Sequence, residues 1–184
     1  MPSELSTTSP DVPESSGLVV RLAVRCGVAV GLACALWMLG LHVTGNNSFG
    51  PKLLLAQLLV PLVAVGSEWW LRRKISPEKP GLGRSLGVGV LTVVIAALIS
   101  ASSLMGLARG AGEPALARHR AELLEIVRAQ QRENTKVKLT EQQQRDQIQN
   151  VERLTVGGMA ISNFTQVLLL GLVLALPAGI FLRE

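Results

Sequence analysis

Residues 85–107 read SLGVGVLTVVIAALISASSLMGL, a run of 23 residues without one ionisable side chain. As a helix it rises about 34 Å, enough to cross a hydrocarbon core of about 30 Å. An isolated run of this kind could be the core helix of a large soluble protein. Its setting decides otherwise. Three more apolar blocks lie in the same chain of 184 residues: Leu22–Val43, Leu53–Trp70 and the stretch ending at Leu182. Apolar residues amount to 48%, close to an ordinary globular average, so what is unusual is their segregation. The expected fold is all-α, an integral membrane protein with spans at about 22–43, 53–71, 85–107 and 160–182. A polar insertion over 108–158 separates the last two spans, and 18–184 forms one membrane domain.

The charges belong to the connections. The formal net charge is +5, and Arg72, Arg73, Lys74, Lys79 and Arg84 crowd into the loop between spans two and three. Cations beside apolar blocks meet lipid phosphate or set topology. With three Phe and no Tyr, a base-stacking surface for nucleic acid is not expected. The stretch SEWWLRRK (67–74) reads as a membrane–water boundary. Trp69 and Trp70 suit the headgroup level, and Arg72, Arg73 and Lys74 suit the water beyond it. Glu68 is expected to form an exposed helical pair with Arg72 at i+4. By the count of loop cations, both termini are expected on the cytoplasmic side.

Residues 1–17 are rich in Ser, Thr and Pro, carry three acids, and are expected to be a disordered tail. The insertion is dense in Glu, Arg and Gln, with eight cations against six acids from Arg118 to Arg153. Leu116, Leu123, Ile126 and Val127 make a narrow apolar stripe at helical spacing. Thr140 with Gln143 forms a capping-box pattern. Two polar helices, or one long bent one, are expected outside the bilayer.

No catalytic set emerges from the residue types. His42 and His119 have no partner at metal-ligand spacing, and Cys26 and Cys34 lie about 12 Å apart along one helix. The glycines of GLGRSLGVG (81–89) lack the Lys-Ser/Thr of a phosphate loop. No catalytic residue, cofactor or metal is therefore expected. Gln57, Ser100 and Gln166 are polar residues inside the spans, and they read as scattered. Small residues are more regular. Ala23, Gly27, Gly31 and Ala35 recur every four residues in the first block, and Gly171, Ala175 and Gly179 do so in the last. Gly27, Gly31, Gly171, Ala175 and Gly179 are expected at helix–helix contacts, where small residues let backbones approach in lipid.

Four stretches carry a resemblance: RCGVAVGLACAL in the first block, WWLRRK closing the second, GLGRSLGVGVL entering the third, and LTEQQQRDQIQ before a last helix ending ALPAGIFLRE. Over residues 20–184 the chain resembles the bacterial domain-of-unknown-function family numbered four-one-nine-nine. The resemblance implies a small four-helix protein of the bacterial inner membrane and supplies no catalytic residues. The expected role is a non-enzymatic scaffold or accessory protein, meeting a membrane protein or a second copy of itself through the insertion. A small transporter or channel subunit is the alternative, and an intramembrane enzyme comes third.

Overall fold

A backbone in hydrocarbon must satisfy its own N–H and C=O groups, and the helix does so within one segment. The computed structural model describes residues 12–76, 81–133 and 140–182, and its regular elements are all helices. They are α1 (Val12–Val43), α2 (Leu53–Gln57), α3 (Leu59–Ile75), α4 (Gly81–Glu133), α5 (Glu141–Glu152) and α6 (Val156–Phe181). Four stretches are long and apolar enough to span: Gly17–Val43, Leu53–Ile75, Gly81–Glu133 and Val156–Phe181. The protein is thus a multi-pass membrane protein. A helix of 53 residues far exceeds one bilayer, so α4 spans with its charge-free portion and leaves the membrane with the rest.

Each helix ends for a local reason. At the end of α1, the N–H of Gly45 reaches the His42 carbonyl at 3.1 Å and that of Asn46 reaches the Leu41 carbonyl at 2.9 Å. Gly45 takes φ +75°, completing a Schellman stop. α2 and α3 make one span interrupted at Leu58. Pro61 has no N–H for the Gln57 carbonyl one turn back, and its ring crowds that carbonyl. α4 is broken at a single residue, Gly112, at φ 73°, ψ −175°. The helix resumes directly, with Pro114 in the next turn. The capping box at α5 forms as its residue types suggest: the Gln143 N–H donates to Thr140 Oγ1 at 3.3 Å, and Gln143 Oε1 accepts from the Thr140 N–H at 3.0 Å.

Two expectations need correction. Residues 12–17 are not part of an unstructured tail. They are the first turns of α1, whose helix propagates backwards from the apolar block; residues 1–11 lie outside the described residues. The second concerns Glu68 and is taken up below.

α4 is the central helix, packed against α1, α3 and α6. The middle of the bundle is filled by small side chains: Cys34, Ala56, Val60, Ala64, Val93, Ala96, Ala97, Val167 and Ala175. Larger residues pack the ends, with Met38, Leu53, Leu104 and Met159 at one and Leu22, Leu71 and Val88 at the other. The outer surface is the reverse of a soluble protein's. Leu36, Leu55, Leu62, Ile161, Leu169 and Val173 all point outward, where lipid covers them.

Glycine sets the spacing at α4. A Cβ on Gly27 would stand 2.8 Å from Ile95 Cβ and 2.8 Å from the Thr92 carbonyl oxygen. One on Gly31 would stand 2.8 Å from Ile99 Cβ. Gly171 lies against the Val93 side chain, Gly179 would meet Leu86 Cδ2 at 2.5 Å, and Ala175 is fully buried. Leu32, next to Gly31, is 51% exposed on the lipid side. Gly31→Leu should therefore destabilise the bundle by about 1–3 kcal/mol, because the α1 and α4 backbones must part. Leu32→Ile should change stability by much less. The two thermal aggregation midpoints in one detergent check this, and a midpoint for Gly31→Leu equal to wild type contradicts it.

Candidate functional site

The interior of the bundle carries polar groups in two clusters, both on one stripe of α4. Ser85, Gly89, Thr92, Ala96 and Ser100 follow one another at three or four residues, all buried, so they lie along one face. Facing them is the buried stripe of α2 and α3 that holds Gln57, Ser67 and Glu68.

The first cluster surrounds Glu68. This side chain is fully buried, at 0% exposure, and neither carboxylate oxygen has a hydrogen-bond partner among the described residues. The expectation of an exposed pair with Arg72 is therefore wrong. At residue 68 the face of α3 turns inward to α4, while Trp69, Trp70, Arg72 and Arg73 turn outward. What admits the carboxyl is Gly89. Glu68 Oε1 occupies the space a Cβ at residue 89 would need, and Glu68 Cδ would lie 2.9 Å from it. The neighbouring hydroxyls give their protons to their own helices: Ser67 Oγ donates to the Ala64 carbonyl at 2.6 Å, and Thr92 Oγ1 to the Val88 carbonyl at 2.7 Å. Ser67 Oγ and Thr92 Oγ1 are 3.3 Å apart. The Ser85 hydroxyl is buried without a partner among the described residues.

The second cluster lies toward the opposite end. Gln57 Nε2 donates to Asn163 Oδ1 at 2.7 Å, and Asn163 Nδ2 donates to Ser100 Oγ at 2.9 Å. One chain of amides and a hydroxyl thus joins α2, α6 and α4. Gln57 and Ser100 are not scattered, because Asn163, which periodicity gave no reason to single out, connects them. A cavity of about 220 Å³, lined by Phe49, Leu53, His119, Asn163 and Gln166 among others, leads from this cluster toward the end of the span.

That end is closed by the loop after α1 and the outer part of α4. Asn47 Nδ2 donates to Glu122 Oε2 at 2.5 Å and lies 3.1 Å from His119 Nδ1. Asn47 Oδ1 accepts from the Phe49 N–H at 2.9 Å, and the Phe49 ring stands edge-on to His119 at 5.8 Å. His119 lies beyond the span, past Gly112. Burial holds its imidazole below the ordinary value of 6.5, with Glu122 pulling the other way. Nearby, Arg120 donates to the Leu154 carbonyl through Nη2 at 2.7 Å and pairs with Glu113 at 2.8 Å.

The boundary residues are placed as follows. Trp69 and Trp70 are half exposed, with the Arg73 guanidinium 4.5 Å from the Trp69 ring centre and Lys74 Nζ 5.6 Å from that of Trp70. Arg72 is exposed.

These helices and both clusters fall in one homologous unit. A model of the family described as "Protein of unknown function (DUF4199)" matches residues 25–184. The chain belongs to that family. No curated protein and no solved structure matches it significantly.

Gly89→Ala should cost about 1–3 kcal/mol, because the new methyl collides with the Glu68 carboxyl. Glu68→Ala in the same chain should recover most of that loss. A double-mutant cycle on thermal stability measures the coupling, and additive effects would mean the two residues do not compete for the space. For His119 the sign is set by its lowered value. Well above 6.5 the imidazole is neutral folded or unfolded and contributes no pH dependence. As pH falls below that value the unfolded chain takes up the proton first, so stability drops until the folded value is passed. The aggregation midpoint should fall as pH is lowered from about 7 through the ordinary imidazole value. His119→Gln should remove its share of that slope, and an unchanged slope contradicts the assignment.

Proposed function

We propose that the protein is a non-enzymatic scaffold or accessory protein of the bacterial inner membrane, which meets protein partners through its extramembrane helices. The observation that carries this reading is the way α4 leaves the bilayer. It continues past Gly112 as a helix to Glu133 and is tied down by Asn47 to Glu122 and by Arg120 to the Leu154 carbonyl. A partner therefore meets a surface held in place, with little ordering cost on binding. α5 packs beside it, with Gln131 Nε2 donating to Gln147 Oε1 at 3.1 Å, and buries none of its residues fully. Ile126 stays exposed, and Val127, Ile148 and Val151 are only half covered, on an otherwise polar surface. A partner helix with an apolar stripe and a mixed-charge border fits such a face. The partner is another membrane protein or a second copy of this chain.

A second reading, a small transporter or channel subunit, is favoured by Glu68, since an ionisable group buried in a span is expensive and often functional. The spacing of the two polar clusters weighs against it. Thr92 and Ser100 are about 12 Å apart along α4. Between them Val60, Ala64, Ala96 and Val167 form a buried apolar layer. A hydrophobic constriction of that kind blocks ions by dewetting.

The excess of Lys and Arg in the loop after α3 supports cytoplasmic termini, which puts the outer part of α4 and α5 on the far side of the membrane. In a cysteine-free background, a cysteine at Arg132 should react with an impermeant thiol reagent added to intact cells, and one at Ser76 should not. The opposite pattern reverses the orientation. Liposomes containing the purified protein should hold proton and alkali-cation gradients as well as empty ones. Dissipation that Glu68→Gln abolishes would overturn the scaffold reading in favour of transport.

A further inference from the structure

On the outer face of the bundle, α4 and α6 leave a groove of about 550 Å³ between them. Leu98, Met105, Ile161 and Phe164 form its walls, the small residues Ala101 and Gly106 open its floor, and Arg109 stands at one end. We propose that this groove is a binding site for one anionic phospholipid, with an acyl chain along the apolar cleft and the phosphate on Arg109.

Length, polarity and charge agree on that occupant. From Leu98 to Arg109 the helix rises about 16 Å. A hydrocarbon core of about 30 Å gives one leaflet about half that thickness. The groove therefore runs from the middle of the membrane to its surface, the path of a single lipid chain. Its volume lies within the range of roughly 300–1,000 Å³ found for ligand clefts. A helix from another protein would need small residues along the whole contact, whereas Leu98, Met105, Ile161 and Phe164 leave a narrow slot between large side chains. Arg109 is exposed and has no ion pair among the described residues, although acids and cations pair close by, as Glu113 does with Arg120. The first turn of α6 adds to this positive end. Ala160, one turn into α6, lines the same groove. Thr155 Oγ1 caps the Gly158 N–H at 3.1 Å, and the helix itself provides no acceptor for the N–H groups of Val156 and Gly157. A Cβ on Gly157 would meet nothing within 4 Å, so a headgroup has open access to this backbone. A phosphate placed there meets a guanidinium and the positive end of a 26-residue helix together.

The test uses the full chain purified in detergent and stripped of lipid. Phosphatidylglycerol, phosphatidylethanolamine with the same acyl chains, and inorganic phosphate are added separately, and adducts are counted by native mass spectrometry. Phosphatidylglycerol should bind as one retained molecule and raise the thermal aggregation midpoint, phosphatidylethanolamine should bind several-fold more weakly, and phosphate alone should do neither. Arg109→Gln should weaken phosphatidylglycerol about fivefold, the effect of one surface cation on an anionic lipid. Ala101→Leu fills the groove and should abolish the retained adduct for both lipids while the protein remains folded by its midpoint. Equal binding of the two lipids, or binding unaffected by either substitution, would overturn the proposal. So would a lipid-excluding dimer crosslinked through Ile161→Cys, which would give the groove to a second copy.

Discussion

Helices in a bilayer are not driven together by water, since lipid tails are as apolar as the side chains they would bury. What holds this bundle is the close approach to α4 that glycine and alanine permit. Gly27 and Gly31 bring α1 onto Ile95 and Ile99, and Gly171 and Gly179 bring α6 onto Val93 and Leu86. Dispersion falls off steeply with distance, so a gap of even half an ångström forfeits much of each contact. α4 answers small residues with branched ones on the two faces it turns to α1 and α6. It is therefore the helix whose position the others inherit, and the bundle's middle contains almost nothing larger than Val.

Close packing also dictates how polar groups are tolerated. Ser67 and Thr92 satisfy their protons on carbonyls of their own helices, which costs no interhelical space. Gln57 and Asn163 are too large for that and bond across helices instead, joining α2 and α6 to Ser100 of α4. Such a bond in lipid is worth about 0.6 kcal/mol on average and fixes which faces meet. Glu68 obeys neither pattern. It is housed by a missing side chain, that of Gly89, and its oxygens find no donor among the described residues. A bundle held only by packing has no need of a carboxyl there, which is why Glu68 keeps a second functional reading alive beside the scaffold.

The architecture was legible from hydropathy alone, because a span is defined by an absence of charge over a length, and both are local. So was the capping box of Thr140 and Gln143, which depends on neighbours in sequence. Glu68 was misread because its sequence neighbours describe a boundary. Trp69, Trp70 and Arg72 do face outward, but one residue on a helix is a turn of 100°, and residue 68 faces in. The spacing of Ser85, Gly89, Thr92 and Ser100 was a readable signal of a polar face. Its partner stripe, Gln57, Ser67 and Glu68, keeps the same three-and-four spacing through Leu58, with Val60, Pro61 and Ala64 between, but large apolar neighbours hide it. Asn163 was unreadable as a link, since its partners are 106 and 63 residues away.

Gly112 reconciles two demands on α4. Within the bilayer the helix must follow the packing of α1 and α6, and outside it must lie where Asn47, Leu154 and α5 can hold it. A straight helix of 53 residues would project about 80 Å and lose the second set of contacts. One residue at positive φ redirects the axis without leaving a long irregular segment at the membrane surface, where unpaired backbone groups are costly. A side chain at 112 would strain that conformation, and Pro114 two residues later removes the N–H that a continuous helix would have directed at the Gly110 carbonyl. The bend is therefore encoded twice, once by the residue that can make it and once by the residue that cannot undo it. The inner half of α4 then answers to lipid and the outer half to water, as one continuous chain.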